Sequence, residues 1–340
     1  MKLKINDNAF FWDTAMKFIA YYLSDIRQLS ENTIKTYKNC LNCYINYLEE
    51  EKHIIRKNIN FSLFNRKQLM QYMSWMSNIK KLAPRTCNLR LTAIHSLLEY
   101  SSNECVELMP IYIESGTIRN IKLIQKPIEF LEKEAMSALL NAPNNHKKSD
   151  RRNRMMLILL YDTGARTSEL LNLCLGDLHL KSNPPYITLF GKGKVYRNIP
   201  LMVKTQEHLN YYLREFHSIA SSNSPLFYAV TRGEKHKLSS DTLEKMIKKY
   251  VKKASIECLS MPEKVYCHMI RKTRAMHLYQ EGIPLTHIQQ LLGHKDISTT
   301  AGFYAFATLE TLRKSLEKAN PEEGVRMWKN ENIIKTLYKL

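Results

Sequence analysis

The sequence predicts a mainly α-helical protein with a small antiparallel β-sheet, divided into two domains. Three observations carry this. Apolar residues recur at helical spacing through the first 125 residues, with no strand pattern among them. One hairpin signal, Gly191-Lys192-Gly193-Lys194 between two short β-like runs, interrupts the helical patterns of the second half. The length of 340 residues exceeds what a single core comfortably serves.

In chain order, Ser30 precedes Ile34, Tyr37, Leu41, Tyr44 and Leu48 and reads as an N-cap, since its hydroxyl can take a free N–H of the first turn. Charged residues from Glu49 to Lys52 close that helix. A second helix carries Leu69, Tyr72, Met73 and Met76. A third starts at Pro84, whose missing N–H costs nothing in a first turn, and carries Leu89, Ala93, Leu97 and Leu98. The segment from Glu114 to Pro127 has little periodicity, contains Ser115 and Gly116, and reads as a linker. Its Arg119, Lys122 and Lys126 suit a DNA backbone or a merely solvated connector.

Beyond it, helical patterns run from Leu131 to Leu140 and from Met155 to Tyr161. Pro185 to Phe190 and Val195 to Ile199 form the predicted strand pair. Further helices are expected at Thr205–Phe216, Leu243–Lys253, Met269–Tyr279 and Leu285–Leu292. Residues 309–340 form a tail, with a helix from Thr311 to Lys318 and an amphipathic piece carrying Val325, Trp328, Ile334, Leu337 and Tyr338. No internal repeat or low-complexity tract is present.

Charge narrows the function. Lys and Arg number 51 against 32 Asp and Glu, a formal net charge of +19. A field of that sign attracts polyanions, nucleic acid first among them, with ribosome association, an acidic membrane surface or simple solubility as alternatives. No run of about eighteen apolar residues exists, so no membrane-spanning helix is expected, and nothing resembles a signal peptide. The cytoplasm is the default location. The seven cysteines are scattered, mostly within apolar helical patterns, and read as small buried groups in a reducing compartment. Cys40 and Cys43 form a C-x-x-C, but no partner pair follows at zinc-ligand spacing, so core packing is the better reading and no metal is expected.

Four short motifs in the second half could carry chemistry. In Gly164-Ala165-Arg166-Thr167-Ser168-Glu169-Leu170, Thr167 or Ser168 can cap a helix, placing Arg166 where its guanidinium and helix-start N–H groups could hold one phosphate. Alone, such an arginine is usually just solvated, and Glu169 reads equally as a capping residue. Lys192 sits at the hairpin tip, where residue statistics favour an ordinary exposed lysine. His268 and Arg271, three apart on a helix, share a face and could reach one phosphate, or could be a surface pair. Gly293 ends an apolar helix as a C-cap, His294 follows it, and Tyr304 lies beyond. Tyr304 taken alone is as well read as one core aromatic among 19 tyrosines.

Taken together, the order Arg166, Lys192, His268, Arg271, His294, Tyr304, with G-A-R-x-S-E-L, H-x-x-R and L-G-H around it, resembles the tyrosine recombinase (phage integrase) family. The resemblance implies that family's two-domain architecture, a helical core-binding, SAM-like domain over 1–125 and a mixed α/β catalytic domain over 126–308, followed by the tail at 309–340. It also implies the roles. Arg166 and Arg271 would clamp the scissile phosphate, with Glu169 positioning Arg166. His294 would donate a hydrogen bond to that phosphate, and His268 would assist proton transfer at the tyrosine or bind a phosphate oxygen. Lys192 would protonate the leaving 5′-oxygen, and Tyr304 would be the nucleophile. One departure stands out: Tyr304 lies ten residues after His294, and the more usual spacing lands on Phe303, with Gly302 able to absorb the extra residue.

The chemistry is consistent with such a set. Cations aimed at the non-bridging oxygens stabilise the charge of a pentavalent phosphoryl transition state. A free tyrosine, with a pKa of about 10, is only about 0.1% ionised at pH 7, so forming phenolate costs about 4 kcal/mol that neighbouring cations and a base must offset. A 3′-phosphotyrosyl link conserves the bond energy, so neither ATP nor any other cofactor is needed.

The expected activity is site-specific DNA recombination, as integrase or transposase of a mobile element. An Xer-type chromosome-dimer resolvase, a topoisomerase-like relaxing enzyme and a non-catalytic DNA-binding protein are the alternatives. Expected partners are double-stranded DNA with an inverted-repeat core site, further copies of the chain in a tetramer, and accessory DNA-bending or directionality proteins. In the family such a tail often docks on a neighbouring subunit, and packing on its own domain is the other possibility.

If about 6–10 phosphates are contacted, duplex affinity should fall roughly 10³–10⁵-fold between 50 and 200 mM salt. Fluorescence anisotropy across that range checks this, and a flat response contradicts a phosphate-based interface.

Overall fold

The computed structural model describes residues 4–124, 128–144, 146–191, 195–218, 221–293 and 313. The chain divides into two compact units, residues 1–126 and 127–340.

The first unit is helical, with no strand among its described residues. Its helices are α1 (Asn8–Lys17), α2 (Glu31–Glu50), α3 (Arg66–Ser74), α4 (Pro84–Glu104) and α5 (Met109–Gly116). Helices α1 and α3 run on in wider π-helical turns, Phe18–Ile26 and Trp75–Ile79. Local chemistry sets the boundaries. The Ser30 hydroxyl accepts from the Thr33 N–H (3.3 Å), and Asn65 Oδ1 accepts from Gln68 N–H (3.0 Å). Pro84 opens α4 in its first turn. Leu41, Tyr44, Ile45 and Leu48 put one apolar stripe of α2 inward.

That stripe meets an aromatic core. Tyr44 is fully buried, and the Phe64 and Tyr72 rings meet it edge-on with centroids at 5.0 and 4.8 Å. Its hydroxyl donates to the Leu63 carbonyl, so the one polar atom brought inside is satisfied. Cys40 is buried and Cys43 half-buried on α2, and both are free thiols.

The segment expected to be a linker from Glu114 onward differs. Helix α5 continues to Gly116, because Ile111 and Ser115 pack inward and carry the helix past the expected break. The following strand-free stretch is tied to α4. Asn88 donates to the Ile121 carbonyl and accepts from the Ile121 N–H, both at 2.9 Å.

The second unit contains α6 (Lys133–Asn141), α7 (Lys148–Thr163), α8 (Thr167–Asn172), β1 (Leu178–His179), β2 (Tyr186–Gly191), β3 (Val195–Pro200), α9 (Val203–Phe216), β4 (Tyr228–Thr231), β5 (Glu234–Lys237), α10 (Ser240–Glu257), α11 (Cys267–Gln280) and α12 (Leu285–Leu292). Strands β1, β2 and β3 form an antiparallel sheet in that order, and β4–β5 is a separate hairpin. The β2–β3 register pairs Ile187 with Ile199 and Leu189 with Arg197. The expected hairpin is therefore present.

Strands β1, β4 and β5 had no visible signal. Two residues make up β1, and every residue of β5 is exposed, so neither shows the alternation that reveals a half-buried strand.

A single core of Leu157, Leu160, Leu170, Ile187, Leu189, Phe227, Ile247 and Ile270 joins the helices to one face of the sheet. A smaller cluster, Ala275, Met276, Ile288 and Leu292, packs α12 on α11. Two glycines end helices at the site. Gly164 (φ +57°) terminates α7 and Gly293 (φ +63°) terminates α12, both in the left-handed conformation that a side chain disfavours. Among the described residues, no helix is long and apolar enough to cross a membrane.

Candidate active site

Four side chains from three elements meet where α7 and α12 end. Arg166 occupies the N-cap position of α8 with extended backbone. Neither Thr167 nor Ser168 is the cap. Glu169 reaches back instead, and its Oε2 accepts the Arg166 backbone N–H at 2.7 Å. The same carboxylate accepts from the Arg166 guanidinium through Oε1 at 2.7 Å. Glu169 thus holds both the backbone and the side chain of Arg166.

The carboxylate has a second cation. Arg197 on β3 binds both its oxygens, Nη1 to Oε1 and Nη2 to Oε2, each at 2.7 Å. The Glu169 side chain is 1% exposed and that of Arg197 9%. Burial alone would raise the Glu169 carboxyl. The hydrogen bonds from Arg197 and from the Arg166 N–H outweigh burial and hold it at about 2.

Arg271 on α11 is buried, at 2% exposure. It donates from Nη1 to the Gly164 carbonyl (2.6 Å) and from Nη2 to the Leu292 carbonyl (2.5 Å). Burial, then the charges of Arg166 and Arg197, lowers its guanidinium to about 9, so it remains a cation at neutral pH. His268 lies one turn earlier on the same helix and is exposed. Desolvation, then Arg271, Lys272 and Arg166, holds its imidazole below the ordinary histidine range, which leaves it neutral at pH 7.

The end of α12 is bound by all three arginines, one to each of three consecutive carbonyls. Arg197 Nε donates to Leu291 (2.9 Å), Arg271 to Leu292, and Arg166 Nη2 to Gly293 (3.2 Å). A helix C-terminus carries unpaired carbonyls and partial negative charge, so cations there satisfy both. A Cβ on Gly293 would lie 3.1 Å from Arg197 Cδ, which adds a steric reason for glycine at that turn.

The arrangement leaves positive charge uncompensated, with three guanidinium groups around one carboxylate. A cavity of about 530 Å³ opens beside it, lined by Arg166, Thr167, Ser168, Cys267, His268 and Arg271 among others. Such a site favours an anion with several oxygens. Of the residues singled out in the sequence, Arg166, Glu169, His268 and Arg271 are brought together. Lys192 falls between β2 and β3 in the chain, and it lies outside the described residues, as do His294, Tyr304 and all of the tail except Arg313. No cluster of His, Cys, Asp or Glu able to hold a metal ion occurs among the described residues.

Arg197 was missed in the sequence. A signal exists: strand alternation puts it on the same face as Ile199, which is buried, and a charged residue on a core-facing strand position implies a partner.

Family comparison decides what kind of site this is. Residues 129–310 match the model described as "Phage integrase family", and residues 17–105 match "Phage integrase, N-terminal SAM-like domain". The chain belongs to the tyrosine recombinase, or phage integrase, family. It is an enzyme of the DNA strand breaking and rejoining class.

Among its relatives, the integrase/recombinase y4rC of Sinorhizobium fredii is 28% identical, over 95% of this chain and 96% of that protein. Tyrosine recombinase XerC of Staphylococcus saprophyticus is 28% identical, over 88% and 95%. Among solved structures, the XerH site-specific recombinase bound to a palindromic difH substrate superposes with a TM-score of 0.69 at 21% identity, covering 93% of this chain and 97% of that one. That likeness establishes the fold of the recombinase.

The Glu169 carboxyl titrates lower folded than unfolded, so the stability it contributes is present above about pH 4.5 and is lost as pH falls towards 2. Glu169→Gln should destabilise the second unit by about 3 kcal/mol at pH 7, as expected for breaking a buried ion pair. Denaturant titrations at decreasing pH should show the gap between variant and wild type closing below about pH 4.5. A pH-independent gap would assign the effect to shape rather than charge.

Proposed function

We propose that this recombinase cuts and rejoins DNA at a specific site through a 3′-phosphotyrosyl intermediate on Tyr304. The observation that carries the reading is the cavity at which Arg166, His268 and Arg271 converge with surplus positive charge. Arg166 and Arg271 donate to the non-bridging oxygens of the scissile phosphate. Their remaining N–H groups are already oriented by the Glu169 carboxylate and by the Gly164 and Leu292 carbonyls, so little reorganisation accompanies charge build-up. His268, neutral at pH 7, can accept a proton near the tyrosine.

In the first step the Tyr304 oxygen forms a bond to phosphorus, and the bond to the 5′-oxygen breaks. That oxygen takes a proton from Lys192, and His294 hydrogen-bonds the phosphate. A 5′-hydroxyl from a partner strand then attacks the phosphotyrosine and releases the tyrosine. The exchange is isoenergetic in phosphodiester bonds.

The partners follow from this chemistry: a duplex with an inverted-repeat core site, bound by 1–125 and 126–308 as core-binding and catalytic domains, and four copies of the chain. Accessory DNA-bending proteins belong to the same proposal, as does action in the cytoplasm. The role proposed is that of an integrase or transposase of a mobile element, in keeping with the description of y4rC as an integrase/recombinase. The XerC relative favours a second reading, resolution of chromosome dimers.

The test is to express the wild type and Tyr304→Phe in cells carrying the native flanking DNA, trap adducts with denaturant, and sequence the attached DNA. Adducts should form with the wild type only and cluster at one short inverted sequence. Neutralising Arg166 or Arg271 should slow their formation by about 10²–10³-fold. Adducts at the ends of an element support integration, and adducts at one chromosomal site outside any element support resolution. Adducts persisting in Tyr304→Phe would identify another nucleophile. Absence of adducts in both would favour a non-catalytic DNA binder.

The tail is proposed to dock on a neighbouring subunit. Deleting residues 322–340 should then abolish tetramer assembly and strand exchange while leaving duplex binding by a single copy, as read by native gel shift.

A further inference from the structure

Arg197 is outside the residue set that the family resemblance brings to the reaction, and it does not line the phosphate cavity. Its side chain is 9% exposed, so it is not placed to touch DNA. Yet it makes three hydrogen bonds, two to Glu169 and one to the Leu291 carbonyl, and so joins β3, α8 and α12.

We infer that Arg197 is a positioning residue for strand cleavage: it occupies Glu169 so that this carboxylate cannot withdraw Arg166 from the phosphate cavity, and it fixes the α12 end against which Arg166 is set. The inference rests on the recombinase reading given above.

The competition is readable in the bonds. Glu169 presents two oxygens to two guanidinium groups and a backbone N–H. Arg197 takes both oxygens, one with each of its Nη groups. Arg166 is left with one oxygen for Nη1, and its Nη2 turns outward to the Gly293 carbonyl at 3.2 Å. A carboxylate and a guanidinium left alone prefer the two-point fork, which is stronger than a single bond. Without Arg197, Glu169 would be a buried carboxylate with Arg166 as its one direct guanidinium partner. It would then draw both Nη groups of Arg166 inward, away from an incoming phosphate.

The role needs an arginine in particular. A lysine could supply the charge, but not two parallel donors to the carboxylate together with a third, from Nε, to the Leu291 carbonyl. The backbone of Arg197 is fixed by its pairing with Leu189 across the sheet, so the fork has a rigid base. On the other side the α12 turn closes on it, with any Cβ at Gly293 only 3.1 Å from Arg197 Cδ and 3.2 Å from Nη1. Removing the fork therefore lets Glu169 draw Arg166 inward and loosens the turn at Gly293.

The experiment uses the full chain as wild type, Arg197→Lys, Arg197→Met, Glu169→Gln, and the pair Arg197→Met/Glu169→Gln, which removes both buried charges together. Thermal midpoint, affinity for a fluorescent mixed-sequence duplex, and the rate of adduct formation on the flanking DNA are measured for each. Arg197→Lys should keep duplex affinity near that of the wild type while adduct formation slows by about 10²-fold, the size of effect a small misplacement of a reacting group produces. Because Arg197 acts through Glu169, the paired variant should be no slower than the slower single variant, and its midpoint should return towards the wild type.

A wild-type adduct rate in Arg197→Lys overturns the inference, and so do rate losses that multiply in the paired variant. A loss in Arg197→Lys that follows its midpoint and vanishes at a lower temperature also overturns it, since that would be simple unfolding. Failure of the wild type to form adducts overturns the recombinase reading first and this inference with it.

Discussion

The buried carboxylate of Glu169 is the contact on which the rest of the site depends. A charge taken out of water is costly unless its partners fully replace the lost hydration. Glu169 achieves this with donors from two guanidinium groups and one backbone N–H. In doing so it makes one rigid object from the start of α8, the middle of β3 and, through Arg197, the end of α12. The same bonds fix where Arg166 can point.

The second constraint is electrostatic. Three arginines around one carboxylate are held together against their own repulsion by carbonyls at two helix ends. Those helix ends need donors in any case, so Gly164, Leu291, Leu292 and Gly293 supply acceptors without adding an ionised group. The surplus positive charge is therefore built into the fold rather than assembled when a ligand arrives. A preorganised cationic site of this kind suits a phosphodiester, whose negative charge grows at the transition state. The three guanidinium groups are thus held by backbone carbonyls at helix ends as well as by the one carboxylate.

Most elements were legible because their signals are local. Ser30 before an apolar stripe, Pro84 at a helix start, and glycines around Lys192 all act within a few residues of where they stand. The strands that escaped notice are the ones whose existence depends on a neighbour: β1 has two residues and survives by pairing with β2, and β5 has no buried side chain. The linker was placed too early because Glu114 to Gly116 resemble a break in composition, while the inward packing of Ile111 and Ser115 keeps them helical. In the site, Arg166, His268 and Arg271 were found through their motifs. Arg197 carries no motif of its own among those singled out, and its importance comes from what it touches.

By itself, the sequence determined the residue types and their order: a cationic chain, helical periodicity in the first unit, one hairpin in the second, and arginines, histidines and a tyrosine in the chain order of one family. These are set by side-chain chemistry and by periodicity along the chain, which act at short range. Tertiary structure alone decided that Arg197 and Arg271 converge with Arg166 and Glu169, and that three arginines bind three successive carbonyls of α12. The reason is that a hydrogen bond between residues 21 to 127 positions apart depends on how helices and strands pack, which spacing along the chain does not encode.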